Sequence, residues 1–231
     1  MKKSCLSLVL AMIWATACGG APSPTPTPIP TPTPDEWLDR AAQAVSGLTS
    51  AQFTLTREGK PAVLDVSTNT TFTEATGKYQ APDRVSATLK VSLFGNVVSV
   101  ETLWLPEGNY ISNPLTGSFQ PAPASATFNG AAIFAASGIP SVLKDGVHNT
   151  TLVGTETIED VETYHLRGEA DGAQLASLAA GVLTAGTSYP VDVWMKTTDW
   201  YVVRLHITEP DGNGWLIDLF AINEPVEIKA P

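Results

Sequence analysis

The sequence predicts an α+β fold in which an antiparallel sheet is covered on one face by a few short helices. Apolar and polar residues alternate over many short segments, which is the period of a half-buried strand. Turn residues such as Gly95-Asn96 and Asp211-Gly212-Asn213-Gly214 separate these segments and predict hairpins. Helical spacing is confined to three segments, near 35–48, 129–143 and 171–181.

The first helix has a defined start, because Thr33 and Glu36 form the sequence pattern of a capping box. The second helical segment, 129–143, is rich in Ala and is interrupted by Gly138 and Pro140. Such interruptions predict two short helices with a break between them.

Alternating segments predict the strands, and tight turns join most of them in sequential hairpins, so an antiparallel meander is expected. Its apolar face has to be covered. The three helices are short and light, so the space beneath them is either filled by side chains or left as an apolar cavity. The predicted strands are 51–56, 63–66, 84–93, 98–104, 110–111, 147–157, 161–168, 189–196, 201–208 and 215–222.

Composition excludes several classes of protein. The chain has 231 residues with 23 Asp and Glu against 13 Lys and Arg, a formal net charge of −10. This acidic balance argues against nucleic-acid binding, because basic side chains are needed to neutralise phosphates. Hydrophobic residues make up 43% of the chain, which is too much for a wholly disordered protein and too little for a polytopic membrane protein.

The N-terminus has the pattern of an export signal. Lys2 and Lys3 precede an apolar run over 6–17, which is shorter than the roughly 20 residues needed to span a bilayer. Ala15-Thr16-Ala17 then leads into Cys18, which resembles a bacterial lipobox. We therefore expect a signal peptide over 1–17 and a diacylglycerol thioether on Cys18. An ordinary secretory signal cleaved at the same place is the alternative.

A spacer over 18–34 is expected to separate the lipid anchor from a domain over 35–231. Proline occupies every second position from Pro22 to Pro34, which favours polyproline II. At about 3.1 Å per residue, fourteen such residues reach about 40 Å. The mature domain contains no cysteine, so it has no disulfide, cysteine nucleophile or thiolate metal site. The expected location is the outer face of the cell membrane.

Four segments together resemble the LppX/LprAFG family of bacterial lipoproteins. They are 50–55, 82–85, 153–165 and 190–195, and the resemblance covers nearly the whole mature domain. Asp160 departs from the pattern, because family members usually have Gly at this turn. Asp tolerates the left-handed conformation that a tight turn needs, so the fold is not in question.

The resemblance implies a curved antiparallel half-barrel sheet with helices on its concave face, similar to LolA-like periplasmic lipoprotein carriers. It also implies a hydrophobic cavity that holds acyl chains of a lipid or glycolipid, for transport or envelope assembly and without catalysis or cofactor. An envelope transporter is a candidate partner, and a monomer is expected. The candidate cavity residues are Leu89, Val91, Leu93, Val98, Val100, Trp104, Phe128, Ile133, Phe134, Ile139, Val142, Val191, Val193, Met195, Tyr201, Val203 and Leu205.

Segment 129–143 is the candidate lid over this cavity, with Gly138 and Pro140 as its hinge. The sequence contains no recognisable catalytic motif that would favour an enzyme over a lipid-binding protein. Strand parity predicts that His165 and His206 lie on the polar face as solvated histidines, and their spacing does not favour a zinc site. The runner-up function is a ligand-free structural or interaction lipoprotein with a packed interior. A secreted hydrolase is the third and least favoured interpretation, because the sequence offers no candidate nucleophile and base.

Overall fold

Twelve β-strands form one open, curved antiparallel sheet in the computed structural model, which describes residues 32–93, 95–123 and 129–231. The signal peptide, Cys18, most of the spacer and Phe128 lie outside the described residues. The strands are β1 Ser50–Glu58, β2 Ala62–Asp65, β3 Thr70–Gln80, β4 Arg84–Leu93, β5 Asn96–Leu105, β6 Gly108–Ser112, β7 Phe119–Pro121, β8 His148–Ile158, β9 Val161–Asp171, β10 Ser188–Lys196, β11 Val202–Thr208 and β12 Gly214–Phe220.

The helices cover the concave face, which confirms the predicted fold class. They are α1 Pro34–Ser46, α2 Ala131–Phe134, α3 Ile139–Ser141 and α4 Gly172–Leu175. A π-helical turn over Val142–Gly146 follows α3, and a 3-10 turn over Ala176–Leu178 follows α4. Among the described residues, no helix is long and apolar enough to cross a bilayer.

The strand order is β7-β6-β5-β4-β3-β1-β12-β11-β10-β9-β8, with β2 also paired to β3. The first and last long strands, β1 and β12, are therefore neighbours at the centre of the sheet. Sequential hairpins alone do not predict this pairing. Since β7 and β8 lie at opposite edges of the sheet, the chain between them crosses from one edge to the other and carries α2, α3 and the π-helical turn.

Helix α1 begins as the sequence predicts. The Thr33 hydroxyl accepts a hydrogen bond from the Glu36 backbone N–H, and the Glu36 carboxylate accepts one from the Thr33 N–H at 2.8 Å. The helix ends at Gly47. Its buried residues follow helical spacing and face the sheet, because an amphipathic helix has to bury its apolar stripe. They are Trp37, Leu38, Ala41, Ala42 and Val45.

Strand β3 is not predicted from the sequence although it is central to the sheet. Its inward residues Phe72 and Ala75 are three positions apart, because the register with β4 shifts between Phe72 and Glu74. This irregularity breaks the period of two that identifies a strand. Further along, Gly77 lies directly opposite Phe53, and a Cβ on Gly77 would come within 2.6 Å of the Phe53 ring. Glycine therefore admits the ring.

A hydrogen-bonded network on the outer face connects β8, β9 and β10, and it corrects one prediction. His165 is on the polar face but is only 5% exposed, because Trp194 stacks on it at 4.2 Å. Its Nδ1 lies 2.7 Å from Glu156 Oε1 and its Nε2 lies 2.6 Å from Asp192 Oδ1. Arg167 Nε donates to the same Asp192 oxygen at 2.8 Å. His165 is therefore a buried bridge between two carboxylates and not a solvated side chain.

We predict that His165→Ala lowers the free energy of unfolding by about 2–3 kcal/mol, because the Asp192 carboxylate loses a partner while buried. Urea unfolding monitored by circular dichroism measures this loss. His206→Ala is the control, because His206 forms an ion pair with Glu58 and its side chain is 24% exposed. The control is expected to cost less than about 1 kcal/mol. Equal losses in the two variants would contradict the bridging role.

We also predict that the stability of the fold depends on pH through the protonation of Glu156. The hydrogen bond from Trp194, and then that from His165, lower the pKa of Glu156 below its ordinary value of 4.5. A carboxyl with a depressed folded-state pKa stabilises the fold above its unfolded-state pKa, and this contribution is lost as the pH falls through the folded-state pKa. Glu156→Gln is therefore expected to lose less stability than the parent between pH 7 and about pH 3.

The measurement is urea unfolding of both proteins at the two pH values. Glu227→Gln is the matched control, because Glu227 forms an ion pair with Lys229 at the surface and its side chain is 72% exposed. A pH profile unchanged in Glu156→Gln, or changed equally in both variants, would rule out the contribution of Glu156.

Candidate functional site

The concave face of the sheet and the inner sides of the helices form one contiguous apolar core. Most of the predicted cavity residues meet there. Leu93 and Val98 are partly buried against the same core, and Phe128 is not described. The predicted residues inside the core are Leu89, Val91, Val100, Trp104, Ile133, Phe134, Ile139, Val142, Val191, Val193, Met195 and Leu205.

Two predicted residues on the β10–β11 hairpin are placed differently. Met195 pairs with Val202 while Trp194 pairs with Arg204, so Val203 is an extra residue in β11 and reverses the alternation. Val202 consequently belongs to the core, whereas Val203 lines a pocket that also contains Asp218, on the outer face. Tyr201 precedes the strand and packs against the edge of the core, where its hydroxyl accepts a hydrogen bond from Asn223 Nδ2 at 2.9 Å.

The sequence prediction omits several core residues. Phe72 and Tyr79 belong to the unpredicted strand β3, and Phe72 stacks on Trp215 of β12 at 5.7 Å. Two contacts fix the position of Trp215. The Arg57 guanidinium lies 5.0 Å from the Trp215 ring, and Trp215 Nε1 donates to Glu209 at 2.8 Å. The aromatic content of 70–80 is the signal that identifies this strand once a bulge is allowed.

The crossing segment, which we define as residues 129–147, supplies the side chains that fill the centre of the concave face. Ile133 and Ile139 are 0% exposed, and Val142 is 1% exposed. Phe134 is held between two aromatic rings of the sheet, with Tyr79 stacked at 4.3 Å and Phe53 edge-on at 5.4 Å. The crossing segment thus occupies the place that the resemblance assigns to acyl chains.

Tyr79 connects this aromatic contact to the β3–β4 turn. Its hydroxyl donates to the Pro82 carbonyl at 3.1 Å. Burial, followed by the nearby Asp83 carboxylate, raises the pKa of Tyr79 above its ordinary value of 10.0. The protonated hydroxyl is a donor at neutral pH, and its hydrogen bond to Pro82 helps to hold the ring in position against Phe134.

The crossing segment is tied internally by its own hydrogen bonds. Backbone bonds join Ala135 to Ala131, Gly138 to Ala135, and Val142 to Gly138 at 2.8–3.1 Å. Gly138 is required at the break between α2 and α3, because a Cβ there would come within 2.2 Å of the Ile133 carbonyl oxygen. Apolar contacts between Phe134 and the sheet then hold the segment in place, and such contacts are non-directional.

Protein side chains fill the interior in this conformation. Residues such as Phe53, Met195 and Leu205 have 0% of their surface accessible, so they border no water-sized space. Around these described residues the protein's own side chains fill the interior, as in one of the two alternatives left open by the sequence. Two grooves of about 540 Å³ each lie instead along α1, at Leu38 with Leu143 and at Ala42 with Pro140.

Charged groups border these grooves, with Asp39 and Lys144 common to both. Leu38 and Leu143, both core residues, line the first groove together with polar side chains that include Asp35 and His148. Over the described part of the chain, no group of three or more His, Cys, Asp or Glu side chains is placed to hold a metal ion.

Among the solved structures that this chain resembles, two mycobacterial lipoproteins match over nearly their full length. LprF from Mycobacterium bovis has a TM-score of 0.69 at 21% identity, and the match covers 87% of this chain and 98% of that one. LppX from Mycobacterium tuberculosis has a TM-score of 0.61 at 18% identity, with 85% and 98% covered. At these identities the likeness shows the fold.

Comparison with curated protein sequences finds no match. The family model described as LppX_LprAFG lipoprotein matches residues 33–228, which is almost all of the described chain and confirms the resemblance seen in the sequence. By this match, the chain belongs to the LppX_LprAFG lipoprotein family.

Proposed function

We propose that this protein binds the acyl chains of a lipid or glycolipid between its sheet and its helices, for lipid transport or envelope assembly. The observation that carries the proposal is the family match over residues 33–228. Membership of a lipoprotein family implies a membrane-associated, extracytoplasmic location. We further propose that the domain is non-catalytic and is tethered to the outer face of the cell membrane. The predicted lipid anchor on Cys18 and the proline-rich spacer support this location.

Lipid binding requires the crossing segment to move, because its side chains fill the interior. Apolar contacts at Phe134, Ile139 and Val142 would be exchanged for contacts with acyl chains. Burial of about ten CH₂ groups contributes roughly 8 kcal/mol, which is enough to offset the loss of several side-chain contacts. The π-helical turn over Val142–Gly146 supports a moving role, because such turns occur frequently at functional sites.

A second candidate is a ligand-free structural or interaction lipoprotein. The filled interior favours it, because Ile133, Ile139 and Leu205 already bury one another without a ligand. In this case the crossing segment is a permanent part of the core, and the grooves along α1 are ordinary surface features. The two functions differ in whether lipid is bound and whether the crossing segment opens.

Native mass spectrometry of the full chain, purified without detergent, tests the proposed function. We expect an added mass equal to one or more lipid molecules, released by organic extraction and recovered when the extracted protein meets vesicles of the source lipids. The physical reason is that acyl chains buried in an apolar interior dissociate slowly. A bare protein mass both before and after incubation with vesicles would support the ligand-free alternative.

Phe134→Ala tests the opening of the crossing segment. Loss of the ring removes its contacts with Tyr79 and Phe53, so hydrogen exchange in residues 131–146 is expected to accelerate by about tenfold or more. Phe72→Ala is the control, because Phe72 is equally buried and stacked but belongs to the sheet. Exchange in 131–146 as slow as in the sheet, with and without lipid, would contradict a mobile cover.

A further inference from the structure

A groove on the outer face of the sheet lies apart from the interior. Its volume is about 290 Å³, which is close to the lower end of the range for small-ligand pockets. Phe53 points into the core, where it is 0% exposed, and it pairs directly with Gly77. The adjacent residues Gln52 and Lys78 line the groove and therefore point to the opposite, outer side of the sheet. The sheet itself thus separates this groove from the concave face.

Six polar side chains form two rows in this groove, and we call them the polar floor. Each row crosses neighbouring strands through directly paired residues, β1 to β4 in the first row and β3 to β5 in the second. Paired residues are about 4.8 Å apart across the strands, and the two rows are roughly 7 Å apart along them. The members are Gln52, Lys78 and Ser86 in the first row and Thr76, Thr88 and Glu101 in the second.

The side chains of the polar floor are unpaired, unlike the charged side chains beside them. Over the described part of the chain, no side-chain hydrogen bond or ion pair joins any of the six to another residue. On the same two strands, β3 and β4, Glu74 and Lys90 form an ion pair at 3.1 Å. Lys78 is paired across the strands with the neutral Ser86 instead. The floor therefore has hydrogen-bond donors and acceptors available to a ligand.

Two phenyl rings border the polar floor. Phe220 lies directly opposite Gln52, on β12, and is 41% exposed. Phe119 lies on β7, at the other side of the groove, and packs against a small apolar cluster that includes Leu103. An aromatic ring offers an apolar face to C–H groups, while the polar side chains beside it fix the orientation of a ligand. The groove is therefore suited to a ligand that has both apolar faces and many polar groups.

The charges of the groove favour a neutral ligand. One Lys and one Glu line it, so its formal charges cancel. The whole chain has a formal net charge of −10, which repels anions. A wholly apolar ligand would bury the unpaired side chains of the floor without giving them partners, and this is unfavourable.

Among neutral polar ligands, the polar floor favours a saccharide over a peptide. Each hydroxyl group of a sugar both donates and accepts hydrogen bonds. It can therefore serve the Lys78 ammonium, the Glu101 carboxylate and the Thr88 hydroxyl alike. The N–H and C=O groups of a peptide have fixed polarity and a fixed order along the chain, so they match a mixed grid of donors and acceptors less well.

We infer that this outer groove binds a neutral saccharide. At about 30 Å³ per water molecule the groove holds roughly ten waters, which corresponds to about one sugar unit of a longer chain. The hydroxyls bind the polar floor, and the C–H faces pack against Phe119 and Phe220. The site is independent of the proposed lipid binding, because it lies on the opposite face of the sheet. A free polysaccharide and the head group of a glycolipid share this chemistry.

An array of neutral oligosaccharides built from glucose, galactose, mannose and arabinose tests the inference on the full chain. Thr88→Val removes a hydroxyl from the polar floor and keeps a β-branched side chain, so the strand is retained. Thr56→Val is the matched control, because Thr56 lies on the outer face of β1 but outside the groove. We expect the parent and Thr56→Val to bind the same saccharides, and Thr88→Val to bind them at least about fivefold more weakly in NMR titrations.

No binding to any saccharide of the array, or equal weakening in the two variants, would overturn the inference. Binding of uncharged peptides in preference to every saccharide would also overturn it. Titration with a free oligosaccharide and with a glycolipid of the same sugar in phosphatidylcholine vesicles distinguishes the two sources, because tighter binding of the glycolipid identifies a head group and equal binding a free chain. Thr88→Val is expected to retain the lipid mass of the parent in native mass spectrometry, so the loss of saccharide binding is distinguishable from the loss of lipid binding.

Discussion

The apolar concave face of the sheet has to be covered, and the rest of the structure follows from this constraint. Strands that alternate apolar and polar residues can be stable only if the apolar side is removed from water. Helix α1 covers part of the face with a stripe that includes Leu38, Ala41 and Val45. The crossing segment covers the centre, and Leu175 and Leu178 of the α4 region complete the interior. Any ligand of this interior would therefore have to compete with the protein's own cover.

The regular parts of the fold can be predicted from the sequence because their signals are local. The capping box at Thr33 and Glu36, the alternation over 84–93 and the interruption at Gly138 and Pro140 each depend on neighbouring residues. The pairing of β1 with β12 could not be predicted in this way. It joins segments more than 150 residues apart, and no turn signal connects them.

The errors in the candidate site have a common physical origin in β-bulges. At a bulge two neighbouring residues of one strand face a single partner residue, so the alternation on one side of the bulge is out of step with that on the other. This moves Val203 to the outer face and conceals the strand that contains Phe72. The error in the prediction for His165 has a different origin. The face of the sheet was correctly predicted, but the burial of His165 depends on Trp194 and on two carboxylates contributed by other strands. The alternation of apolar and polar residues within one strand contains no information about these neighbours.

The crossing segment connects the two edges of an open sheet, so its contour length limits how far those edges can separate. Twelve of its residues are coiled into α2, α3 and the π-helical turn. Helical backbone advances about 1.5 Å per residue and extended backbone about 3.3 Å, so uncoiling these turns would release roughly 20 Å of slack. Uncoiling the short helices would therefore lengthen the connection between the two edges without breaking a strand-to-strand ladder.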